Sequence, residues 1–221
     1  MEQRQTVPTR SLAMAALAGF ATFPIAVIIL NLVQRGEYNA LTQPMSQLAL
    51  GTGGWLMTVA FCTTGLGLLM LALLVRRTVP EARVVPGLLA LAGMLHFVAA
   101  AFPTDPIGVP PTVHGLIHNI SGLTMFVMVV VVMVIAGFSF RTSPEWRSFS
   151  RATFVWSGAA IVAFFLMLIL GGLHLFGLGQ RIAVASWLTW MMVVAWRALR
   201  SRMRHEHLST SGLTRSSSAT P

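Results

Sequence analysis

VHGLIHNISGLTMFVMVVVVMVIAGF, residues 113–138, decides the fold. No aspartate, glutamate, lysine or arginine interrupts it. A helix needs about 20 predominantly apolar residues to cross the ~30 Å hydrocarbon core of a bilayer, and this run is longer than that. It is the fourth of six apolar runs, residues 12–33, 55–75, 84–102, 113–138, 153–174 and 182–199. The third and sixth are the shortest and would cross with little tilt. Pro24, Gly65, Gly67, Gly93 and Gly158 fall inside the runs. Lipid tolerates such residues in helices, where they mark kinks or close helix contacts. The first run is longer than the apolar part of a signal peptide and ends in no convincing cleavage site, so it reads as a span. The expected fold class is all-α, a polytopic membrane protein with six transmembrane helices in one bundle. The expected organisation is a cytoplasmic N-terminus at 1–11, the helical domain at 12–199 and a basic tail at 200–221. That tail ends in STSGLTRSSSATP, too polar to bury a core and expected to be disordered.

Composition agrees. The 221 residues are 55% hydrophobic and only 10% charged, whereas a soluble domain carries about 25% charged residues. Cys62 is the only cysteine and has no partner for an intrachain disulfide. The net charge of +9 comes from fifteen arginines and no lysine. They cluster beside apolar runs and accompany no nucleic-acid-binding motif, so nucleic acid is not an expected partner. With six spans, thirteen arginines fall on one side and only Arg35 and Arg181 on the other. The positive-inside rule then places both termini in the cytoplasm.

In this topology the connections 34–54, 103–112 and 175–181 face outward. The second lies in FPTDPIGVPPTVHGLIHN, residues 102–119. His114 opens the fourth run and His118 follows at i+4 on the same helix face, with Ser121 extending the stripe. His96 precedes the end of the third run by six residues. At ~1.5 Å per residue it lies ~9 Å below the outer helix end, and His118 ~8 Å, so the two share a depth. His174 ends the fifth run. Thr112 is a sensible N-cap, and the positive end of the helix dipole favours a neutral His114, the form that binds metal or accepts a proton. Intramembrane histidines usually face the protein interior.

These residues make a candidate constellation. In one reading His96, His114 and His118 hold zinc, which activates a water. In the catalytic reading Asp105, His114 and His118 act as acids and bases. Ser46, His174 and Arg181 are candidate substrate or headgroup contacts, and Arg181 is also a candidate partner for Asp105, Glu37 or lipid phosphate. In the plainest reading the same groups only pin spans three and four together. Positions 115–117 are Gly-Leu-Ile, so the glutamate of HExxH is absent. There is no P-loop, Rossmann fingerprint, lipase elbow or chain of acids deep in the spans. Trp187, Trp190 and the Met-rich runs read as packing, and Trp196 as an interface anchor.

Several motifs carry a resemblance. Ser46-Gln-Leu-Ala-Leu-Gly51, Phe102-Pro-Thr-Asp105, His114-Gly-Leu-Ile-His118 and Gly179-Gln-Arg181, set among short-looped spans, resemble the bacterial membrane family catalogued as domain of unknown function 998. The likeness covers about residues 10–200. It implies the fold and a membrane location, with no established reaction. The family's usual serine-glutamate pair stands here as Ser46-Gln47. A looser likeness joins the serine, histidines and aspartate to zinc-dependent membrane hydrolases of the ceramidase and adiponectin-receptor type, by analogy of residue types.

The expectation is a multi-pass bacterial plasma-membrane protein with a His/Asp polar site on its outer side. It binds a lipid or small hydrophobic molecule, or assists a partner. The alternative is an intramembrane enzyme, a metal-dependent hydrolase or acid/base catalyst acting on a lipid-like substrate. Expected partners are membrane lipids and either a second copy of the chain or another membrane protein.

Overall fold

The computed structural model describes residues 8–217, with side chains to residue 200. It builds α1 (Thr9–Val33), α2 (Trp55–Thr78), α3 (Val85–Ala101), α4 (Val113–Thr142), α5 (Arg147–Gly172) and α6 (Phe176–Ser217), with a short 3-10 helix at Met45–Ala49 between α1 and α2. There is no β-strand among the described residues. The protein is an all-α polytopic membrane protein.

Five helices are long and apolar enough to cross a bilayer, α6 through its segment Phe176–Arg200. α3 is shorter, at 17 residues. It rises ~26 Å at ~1.5 Å per residue, a little under the hydrocarbon thickness. Prolines set both of its ends. Pro86 lies in its first turn, where a missing N–H costs nothing. Pro103 forces the preceding Phe102 out of helical geometry, to φ −112° and ψ 99°. The backbone of α6 is helical to Ser217. Residues 1–7 and 218–221, with most of the expected N-terminal segment and the end of the expected tail, lie outside the described residues.

Each helix packs against the next in chain order, and α6 closes the ring against α1, with a lesser contact to α2. Small residues allow the close approaches. A Cβ at Gly65 would lie 2.9 Å from the Gly93 carbonyl oxygen, and one at Gly93 would lie 2.9 Å from that of Gly65. In lipid, where no hydrophobic drive joins helices, such backbone proximity supplies the packing energy. Large apolar side chains point outward, as lipid permits; Val155 is 75% and Val162 66% exposed.

The half of the bundle at the α4–α5 turn is filled. Leu68, Leu71, Val129, Val132, Trp190 and Met191 are buried there. Trp190 Nε1 donates to Thr153 Oγ1 at 3.4 Å. Nearer the turn, Phe140 stacks on Trp146 with ring centroids 4.8 Å apart, and Arg197 lies over Trp146 at 5.5 Å.

Candidate functional site

At the other end three connections form a cap. The chain between α3 and α4 is folded around Asp105. One carboxylate oxygen accepts the Thr112 N–H at 2.8 Å and the other the Thr112 hydroxyl at 2.6 Å. Thr112 is the N-cap of α4, its hydroxyl oxygen accepting the Gly115 N–H at 3.1 Å. A side chain at Gly115 would run into the Asp105 carboxylate, which is the local reason for glycine after His114. The negative charge sits at the positive end of α4. The Thr112 hydroxyl first, then the Thr112 N–H and the neighbouring His114, hold the Asp105 carboxyl below its ordinary value. The Asp105 carbonyl accepts from Gln47 Nε2 at 2.6 Å, tying this loop to the 3-10 helix. His114 is exposed, its ring edge against Phe102 with centroids 5.5 Å apart.

The loop between α1 and α2 is fastened to α6. Arg181 donates to the Ala40 carbonyl at 2.7 Å, the Gly177 carbonyl at 3.0 Å and the Tyr38 hydroxyl at 2.7 Å. The Tyr38 hydroxyl in turn donates to the Gln43 carbonyl at 2.9 Å. Burial pushes the Tyr38 phenol above its ordinary value, and Arg181 offsets part of that. The Leu178 N–H donates to the Leu41 carbonyl at 2.9 Å, and Gly177 lets the loop lie directly on the helix. Arg181 is thus engaged by carbonyls and a phenol, and its hydrogen bonds go to neither Asp105 nor Glu37.

His174 is exposed and holds a left-handed backbone, φ 60°. The Leu175 N–H reaches the Leu170 carbonyl at 2.7 Å and the His174 N–H that of Gly171 at 3.1 Å. This is a Schellman ending of α5 in which histidine occupies the place glycine usually takes.

Beneath the cap lies a cavity of about 50 Å³. α3 contributes His96, α4 contributes His118, the 3-10 helix contributes Ser46 and α6 contributes Gln180 and Trp187. The rest of the wall is mostly apolar, including Phe23, Phe61, Leu95 and Met125. His118 Nδ1 is 3.1 Å from the Ala99 carbonyl oxygen and 2.9 Å from that of Phe102. His96 Nδ1 is 2.9 Å from the Ala92 carbonyl oxygen. Carbonyls only accept, so Nδ1 carries the hydrogen in both rings, and in the neutral ring Nε2 carries the lone pair. His118 thereby satisfies carbonyls left over at the end of α3. His96 is 1% exposed, and its Nε2 has no hydrogen-bond partner. Trp187 is 3% exposed, and its Nε1–H also has none. The two rings meet edge to face with centroids 6.2 Å apart. Gln180 Oε1 is committed to the Met45 N–H at 2.7 Å, leaving its amide hydrogens to offer.

Of the residues singled out in the sequence, the structure brings Ser46, His96 and His118 to one cavity, with Ser121 beside them. It sets Asp105, His114, His174 and Arg181 in the cap, outside the cavity lining. No three histidine, cysteine or acidic side chains gather to hold a metal ion among the described residues, because His114 stays at the surface. Gln180 and Trp187 are cavity residues that the sequence did not mark as site residues, Trp187 reading as packing and Gln180 only as part of the Gly179-Gln-Arg181 motif. Their signal is the spacing of Gln180, Val184 and Trp187 at i, i+4 and i+7, one face of a helix.

The chain belongs to the family described as Protein of unknown function (DUF998), whose model matches residues 14–197. No curated protein and no solved structure matches it.

Proposed function

We propose that this chain is a six-span protein of a bacterial plasma membrane, with both termini in the cytoplasm, whose outer cavity binds the polar end of a lipid or small hydrophobic molecule. One observation carries this reading. His96 Nε2 and Trp187 Nε1 are buried without partners on the wall of the same cavity. An unpartnered buried polar group costs about 1–3 kcal/mol, so two of opposite hydrogen-bonding sense at one cavity are best accounted for by an occupant. The test is to purify the wild type and Gly122→Leu in lipid nanodiscs and compare bound small molecules by mass spectrometry. Gly122 lines the cavity, and a Cβ there would meet nothing within 4 Å, so leucine adds bulk at the wall from an open position. A hydrophobic species retained by the wild type and absent from the variant supports the reading. Identical contents refute it.

The placement of Ser46 with two imidazoles favours a second reading, an intramembrane enzyme acting on a lipid-like ester or amide. Its metal-dependent form has less support, since only His96 and His118 of the expected ligands meet. Turnover of lipid esters that disappears in Ser46→Ala and His118→Gln would select it.

A further inference from the structure

The polar wall of the cavity restricts what the occupant can be. No arginine, lysine, aspartate or glutamate lines it, and its two histidines are hydrogen-bonded as neutral rings. A carboxylate, phosphate or ammonium there would be desolvated without a counter-ion, at a cost of several kcal/mol. His96 Nε2 requires a donor and Trp187 Nε1–H requires an acceptor. A hydroxyl meets both with one atom, since it carries one hydrogen and two lone pairs. The cavity of about 50 Å³ accommodates such a group and its first carbons but not a phospholipid headgroup. Phe23, Phe61 and Leu95 on the remaining wall suit those carbons. Resting on the binding function proposed above, we infer that the occupant is an uncharged long-chain alcohol, its hydroxyl donating to His96 and accepting from Trp187.

The test uses one chain length with different ends. Binding of 1-dodecanol, dodecanoate, dodecyl phosphate and dodecanamide to the full-length protein in nanodiscs is measured by calorimetry, for the wild type, Gly122→Leu, Trp187→Phe and His96→Phe. The expected result is saturable binding of dodecanol, about tenfold tighter than any other compound and lost in Gly122→Leu. Trp187→Phe and His96→Phe should each weaken it about fivefold, one neutral hydrogen bond, with their own unfolding temperatures unchanged or raised. Equal or tighter binding of the acid, phosphate or amide, still lost in Gly122→Leu, overturns the hydroxyl assignment and leaves the cavity as a binding site. Alcohol binding insensitive to both Trp187→Phe and His96→Phe also overturns it. If no compound binds the wild type better than Gly122→Leu, both the assignment and the binding function fall.

Discussion

Trp187 and Trp190 stand one turn apart on α6 and are both buried, yet they meet different kinds of interior. Trp190 donates to a hydroxyl on α5 and is 1% exposed. Trp187 borders a cavity to which α5 contributes nothing, and its N–H meets no acceptor. The residue type is the same and so is the helix. What differs is what the neighbouring helices supply, a complete set of partners in one half of the bundle and an incomplete one in the other. The filled half holds the molecule together, and the hollow half is where the proposed ligand would find free hydrogen-bonding groups.

The largest test of that contrast is truncation of each tryptophan. Trp190→Ala should cost about 3–5 kcal/mol, as removal of a packed aromatic does, read as loss of unfolding free energy in mild detergent. Trp187→Ala should cost clearly less, because part of its surroundings is already empty. Equal losses would erase the distinction. Next come the two histidines. His118→Leu removes a hydrogen bond to carbonyls at the end of α3 and should cost about 0.6–2 kcal/mol. His96→Leu removes an unpartnered acceptor together with a local bond to the Ala92 carbonyl, which lies within α3 and keeps its helical partner, and should leave the empty protein as stable as before, or more so. The reverse order would make His96 the structural residue. Smaller still, His174→Gly should raise stability by about 0.5–1 kcal/mol, since the left-handed backbone burdens a side chain with a Cβ. Unchanged stability would show that the α5 ending is relaxed with histidine in place. The smallest effect is that of pH on the cap. The folded Asp105 carboxyl lies below its unfolded value, so its contribution is present above the unfolded pKa and lost as pH falls through the folded one. The wild-type unfolding temperature should fall in that acid window more than that of Asp105→Asn. Parallel profiles would remove Asp105 from the account.

How much of this was legible follows from which forces act where. The hydrophobic requirement for crossing a bilayer writes itself into the sequence as length, so the expected runs and the helices agree to within a few residues. The exceptions are the fifth and sixth runs, whose helices begin six residues earlier, at Arg147 and Phe176, the sixth also running on to Ser217. The shared depth of His96 and His118 was legible for the same reason, since depth is residue count times rise. Rotation about the helix axis was not. Whether Gln180 and Trp187 face the cavity depends on how α6 seats against α1, a contact between the two ends of the chain. Asp105 was visible as a polar residue in the right loop. Its role at the start of α4 depends on a reversal of the chain between 105 and 112 that brings its carboxylate to Thr112. Nothing near His174 announced a left-handed residue, because glycines stand at 171 and 172 and not at the position that adopts it.

Closure of the ring by α6 fixes an order of events during synthesis. A ribosome makes α1 to α5 first, and in that interval His96 and Ser46 lack the wall that Trp187 and Gln180 provide. The cavity comes into being only when the last helix joins the bundle and the loop between α1 and α2 is caught by Arg181. A chain interrupted before residue 176 would lack the α6 wall of the cavity, so under the proposed function a partly made molecule would be a silent one.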